Sequence, residues 1–204
     1  YLENWQGLSC LRDKTCNQID CWIQGTNLSM KIWNQHLEIH WECGSEKMDA
    51  HAHWIGEDFP EFSLKDDEGN RFNLESLKGQ WSVVFFYPKD GSPGCTIESC
   101  GFRDKHDDFN ALGAQLIGVS SDSMNRHRRF KKKFNLQYKL LCDDSGRLAK
   151  KMQLKKTLGF MRARVTFIID PEGVIQGTIT AQFAPKKHVS HALRQLRELT
   201  TKDT

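Results

Sequence analysis

The sequence predicts an α/β domain in which helices flank a mixed central sheet. Three observations lead there. From about Ala52 onward, strand-length apolar runs alternate with segments of helical period. "WSVVFFYP" (Trp81–Pro88) is almost wholly apolar, as a strand covered on both faces must be. The last two strand patterns lie side by side around Pro171-Glu172-Gly173, so the sheet ends in a hairpin.

The elements follow in order. "FSLKDDEGNRFNLESLKG" alternates, turns at Glu68-Gly69-Asn70 and runs into a short helical turn. After the strand at Trp81, residues 93–112 read as a helix, "AQLIGVSSD" as a strand, residues 123–134 as a helix and "KLLCDD" as a short strand. "GRLAKKMQL" is helical, "ARVTFIIDPEG" and "VIQGTITAQF" are paired strands, and "KKHVSHALRQLREL" closes the chain as an amphipathic helix. There is no internal repeat or low-complexity tract.

Composition divides the chain at about residue 51. Residues 1–51 hold four of the seven cysteines (Cys10, Cys16, Cys21, Cys43) and four of the six tryptophans, without sustained periodicity, and read as an irregular or disordered leader before a domain at 52–204. Residues 1–47 carry four Lys/Arg against six Asp/Glu, so this segment is −2 where the whole chain is +3. A transit peptide is rich in Arg and poor in acids, so the leader does not read as one, and the cytoplasm is the expected compartment. The chain opens at Tyr1, which implies a fragment or processed product with Met30 or Met48 as natural starts. No apolar run approaches the roughly 18 residues of a membrane span. The odd cysteine count, with no signal-peptide pattern, points to a reducing compartment and a few reactive thiols.

The chemistry concentrates in "PKDGSPGCTIESCGFRD". A free thiol has a pKa of roughly 8.5, and only its thiolate is nucleophilic. Cys95 stands at a helix N-terminus, where unpaired N–H groups and the helix dipole favour an anion. Pro88 ends the strand, Pro93-Gly94 makes a tight entry to the helix, and Ser92 offers a hydroxyl three residues before the thiol. Cys100 follows five residues later and reads either as a small buried residue or as a second redox thiol. An intact helix sets the two Cα atoms about 8.6 Å apart, beyond the roughly 7 Å that a disulfide tolerates.

Pro88-Lys-Asp-Gly-Ser92-Pro-Gly-Cys95 resembles the Pro-x-x-x-Thr/Ser-x-x-Cys motif of peroxiredoxins, and Cys100 followed by "GFRD" resembles the peroxiredoxin Q branch, also called bacterioferritin comigratory proteins. The resemblance runs over about residues 54–199 and includes "IGVSSDS", "LLCDDSGRLAKK" and "RVTFIIDPEGVI". It implies a thioredoxin-like fold and thioredoxin-dependent reduction of hydrogen peroxide and alkyl hydroperoxides, with no cofactor or metal. By the same resemblance Cys95 is the peroxidatic cysteine and Cys100 the resolving one, closing an intramolecular disulfide. Ser92 would hydrogen-bond the peroxide, in a place usually held by threonine. Arg164 would hold the thiolate and the peroxide oxygen, and Pro88 would shield the sulfur. Family members commonly carry Pro-Gly before that arginine. This chain has Arg162-Ala163 instead, so Arg162 competes for the role. The family implies a monomer, in bacterial cytoplasm or in the plastid stroma.

Two features point to another class. Cys16-x4-Cys21-x14-His36-x3-His40 approaches a zinc-finger spacing, although Gly25 replaces the expected aromatic. "RHRRFKKK" (126–133) is basic enough for nucleic acid. Its charges fill a whole exposed helical arc around Phe130 and Phe134, the pattern of a solvated helix. Neither a nucleic-acid nor a membrane partner is therefore expected. Cys142 reads as a small buried residue, and His51, His106, His188 and His191 have no evident ligand partners in sequence.

Overall fold

The computed structural model describes the backbone of residues 9–12, 18–23, 26–33, 36–40, 50–154 and 162–201, with side chains for the last two ranges. The chain divides into two compact units, Tyr1–Met48 and Asp49–Thr204.

In the first unit, the described residues form four antiparallel strands paired in chain order: β1 (Ser9–Arg12), β2 (Gln18–Ile23), β3 (Thr26–Trp33) and β4 (His36–His40). The sequence reading expects an irregular segment here, and the structure differs. Alternation is present in "NLSMKI" and "HLEIH", but over stretches too short to dominate the polar and turn residues between them. Cys16 lies outside the described residues, as do the side chains of Cys21, His36 and His40.

In the second unit, the described residues build a seven-stranded mixed sheet. Its strands are β5 (Ser63–Asp66), β6 (Arg71–Asn73), β7 (Trp81–Phe86), β8 (Ala114–Ser120), β9 (Lys139–Cys142), β10 (Val165–Ile169) and β11 (Ile175–Thr180), in the order β11-β10-β7-β8-β9-β5-β6. β7 is central, parallel to β8 and antiparallel to β10. Its unbroken apolar run is explained by period-2 alternation between two cores. Val83, Phe85 and Tyr87 enter one with Phe102, Phe109 and Phe130. Val84 and Phe86 enter the other with Phe59, Leu77 and Phe167.

The helices are α1 (Pro93–Asp104), α2 (His106–Ala111), α3 (Met124–Phe134), α4 (Arg147–Lys151) and α5 (Pro185–Thr200). The helix expected over 93–112 is thus two. At Lys105 (φ −109°, ψ 9°) the ladder tightens to a bond with Phe102 O and then restarts. α5 buries Val189, Ala192, Leu193 and Leu196, an i, i+3, i+4, i+7 stripe, against the sheet. Leu196 is fully enclosed, and truncating it to alanine costs about 2–5 kcal/mol. The hairpin turn after β5 is held by Asp66 Oδ1, which accepts the N–H groups of Glu68 (3.0 Å) and Asn70 (2.8 Å), with Gly69 at φ +99°. Among the described residues, no helix is long and apolar enough to cross a membrane.

Candidate active site

Cys95 occupies the third position of α1. Ser92 is the N-cap residue, and Pro93 and Gly94 follow, so Cys95 lies in the first turn, where backbone N–H groups lack intrahelical partners. The thiol is fully buried. Arg164, at the head of β10, donates from Nη2 to Cys95 Sγ at 3.3 Å. Gly94 makes this approach possible, because a Cβ there would lie 3.2 Å from the same Nη2. The competing Arg162 puts its guanidinium on Gly146, where a Cβ would meet Nη1 at 2.9 Å. Arg164 is therefore the arginine brought to the thiol.

The guanidinium is oriented by groups the sequence reading did not single out. Gln182 Oε1 accepts the Arg164 N–H (2.8 Å), and Gln182 O accepts from Arg164 Nε (3.3 Å). Arg164 Nη1 donates to Glu98 Oε2. Glu98 is fully buried one turn after Cys95, and its Oε1 has no hydrogen-bond partner, with His188 Nδ1 3.7 Å away. Burial pushes the Glu98 carboxyl up to about 8 despite the pull of Arg164. The one guanidinium thus donates to Glu98 through Nη1 and to the sulfur through Nη2, tying the buried carboxyl to the thiol. The i, i+3 spacing from Cys95 was the signal that placed Glu98 on the same helical face.

Ser92 and Pro88 line a cleft of ≈ 630 Å³ with Lys89, Gly94, Arg162, Arg164 and Phe183. The Ser92 hydroxyl donates to Lys89 O (3.1 Å), which leaves its oxygen lone pairs free to accept. The loop carrying both residues hangs from Asp90. This carboxylate accepts from Tyr87 Oη (2.7 Å) and meets His127 Nδ1 of α3 (2.8 Å), and the Asp90 N–H donates to Asp122 Oδ2 (2.6 Å). Burial opposes charging of His127, but hydrogen bonds to Asp90 and Cys142 carry its pKa up to about 9. Asp90, Asp122 and His127 carried no motif-level signal.

Cys100 is partly exposed on α1, and Cys95, Cys100 and Cys142 are all free thiols. Cys142 is partly exposed, not buried as expected, because it ends β9 at the sheet rim. Three cations of the basic segment 126–133 are engaged by the domain itself, while Arg129, Lys132 and Lys133 are exposed. Arg126 pairs with Asp122 (2.9 Å), Lys131 with Asp67 (3.0 Å), and Arg128 Nε donates to Asp67 O (2.6 Å). Phe130 is buried, as the helical arc predicts. Among the described residues, no group of three or more His, Cys, Asp or Glu is arranged to hold a metal ion.

The AhpC/TSA family matches residues 55–178. The chain is 40% identical over 141 residues to the chloroplastic peroxiredoxin Q of Sedum lineare, covering 69% of this chain and 76% of that protein. It is 43% identical over 154 residues to peroxiredoxin Bcp of Bacillus subtilis, covering 72% of this chain and 98% of that one. Among solved structures, the peroxidoxin BcpB from Mycobacterium tuberculosis aligns with a TM-score of 0.66 at 32% identity, over 71% of this chain and 97% of that one. These relatives lend nothing to a zinc or nucleic-acid module.

Proposed function

The chain belongs to the AhpC/TSA family, beside peroxiredoxin Q and Bcp, and from that membership we propose that Cys95 is its peroxidatic and Cys100 its resolving thiol. The protein is a thiol-dependent peroxidase with a thioredoxin-like fold. The observation that carries the residue assignment is the Arg164 Nη2 donor 3.3 Å from Cys95 Sγ at a helix N-terminus. Two fixed positive influences, dipole and guanidinium, act on one buried sulfur.

The Cys95 thiolate attacks the terminal oxygen of hydrogen peroxide or an alkyl hydroperoxide. The O–O bond breaks, Cys95 becomes a sulfenic acid, and the departing hydroxide or alkoxide takes up the proton that the Cys95 thiol released, leaving as water or alcohol. Arg164 holds the departing oxygen, Ser92 accepts from the peroxide O–H, and Pro88 keeps water from the sulfur. The Cys100 thiolate then attacks the sulfenic sulfur, displacing hydroxide and closing a Cys95–Cys100 disulfide. Two electrons from a dithiol such as thioredoxin restore both thiols. We place the protein in the cytoplasm, with the plastid stroma, after the plant relative's chloroplastic name, as the second reading.

A peroxide-consumption assay with thioredoxin and its reductase tests this. Cys95→Ser abolishes turnover, because a serine hydroxyl is scarcely ionised near neutrality. Cys100→Ser reacts once with peroxide and stops. Turnover retained in Cys95→Ser would remove the assignment.

A further inference from the structure

Outside the peroxide cleft, α1 and α5 meet along a groove of ≈ 770 Å³. Gly101 lets the helices close on each other, since a Cβ there would lie 3.0 Å from Val189 Cγ2. Ile97 (44% exposed), Val189 and Leu193 form the apolar floor, and Cys100 opens into it. The acid on the α1 side is already taken: Asp104 pairs with Arg103 (2.7 Å). Lys105 is held by Asp108 (2.9 Å). What remains is a rim of Lys186, Arg194 and Arg197 on α5, all exposed and, among the described residues, in no ion pair, against Glu198 alone.

We infer that this groove is the docking surface of the dithiol reductant, an acidic protein of the thioredoxin class, an inference that rests on Cys100 being the resolving thiol. Three features select that occupant. A redox sulfur lies within the groove, so the occupant brings a thiol. The floor is apolar inside a charged rim, the anatomy of a protein contact. The unpaired rim charge is positive, so a partner with carboxylates around its attacking cysteine is steered in. In the dithiol form Cys95 is fully buried and Cys100 is not; the unwinding of α1 that the disulfide requires carries Cys100 further into solvent while α5 keeps the basic rim, so the partner thiolate attacks Cys100. The Cys95–Cys100 bond breaks and Cys95 leaves as thiolate. The partner's second thiolate then attacks the mixed disulfide, releasing Cys100 as a thiolate that takes up a proton and leaving the partner oxidised.

The test is Arg194→Glu/Arg197→Glu in the full chain, assayed with an acidic thioredoxin and separately with dithiothreitol, at low and high ionic strength. Both residues are exposed and outside the peroxide site. The kcat/KM for thioredoxin falls by about tenfold or more at low ionic strength, and the salt sensitivity of the wild type disappears. Turnover with dithiothreitol and the single reaction with peroxide stay at wild-type rates. An unchanged thioredoxin kcat/KM, or an equal loss with dithiothreitol, overturns the docking surface. If the wild type forms no Cys95–Cys100 disulfide after peroxide, the thiol assignment falls, and the docking surface with it.

Discussion

Arg164 Nη2 lies 3.3 Å from Cys95 Sγ, although 69 positions separate the two residues in the chain. β10 carries the guanidinium to the helix that carries the thiol, and the contact is buried from solvent at both ends. Arg164→Ala therefore slows the single reaction of reduced protein with peroxide by roughly 10²–10³-fold, the loss typical of a fixed donor to a developing charge. Arg162→Ala leaves that rate near wild type, because its guanidinium rests on Gly146. Rapid-mixing fluorescence reads both. A larger loss in Arg162→Ala would mean that the arginines exchange roles in solution.

Glu98 gives a pH signature. Burial raises its pKa from 4.5 to about 8. Between those values the folded protein keeps a proton that the unfolded chain has released, so stability is full at the acid end and falls as pH rises to about 8. The slope approaches ~1.4 kcal/mol per pH unit. Glu98→Gln keeps the shape and the neutral acceptor, so it lacks this slope and holds the peroxide rate at pH 7. Urea unfolding across the acid-to-neutral range compares the two. Parallel stability profiles would show that Glu98 is ionised in the fold.

The Asp90–His127 pair predicts a second titration. Its pKa of about 9, against an ordinary 6.5, means stability that is full below 6.5 and lost as pH rises through 9. Asp90→Asn leaves a buried imidazole with burial opposing its charge. The His127 ring titration, followed by NMR, should drop below 6.5, and the protein should lose about 3–5 kcal/mol at acidic pH. The peroxide rate falls too, since the loop bearing Ser92 hangs from Asp90. A ring titration that does not move would break the link between this pair and the loop.

Oxidation should melt the start of α1. The helix is continuous from Pro93 to Asp104, which holds the Cys95 and Cys100 Cα atoms about 8.6 Å apart, too far for a disulfide. Forming the bond removes the first-turn N–H groups that favour the thiolate and exposes the segment around Cys100. Hydrogen exchange over residues 93–103 should rise after one equivalent of peroxide. Unchanged protection, with a Cys95–Cys100 disulfide found by mass spectrometry, would contradict unwinding.

The strand at Trp81, the helix start with its thiol and the second thiol five residues on were legible in the sequence. Each rests on local rules: an apolar run of strand length, Pro-Gly at a helix entry, a fixed rise per residue. Which arginine meets the thiol was settled by the fold. Arg162 and Arg164 both precede β10, in an irregular stretch to which no strand alternation applies, and the chain path puts one guanidinium on Gly146 and the other on Cys95. Glu98 and the Asp90–His127 pair waited on the fold for a related reason. A buried carboxyl or imidazole acquires its charge state from partners 66 and 37 residues away, and no local pattern records which partners the sheet will bring.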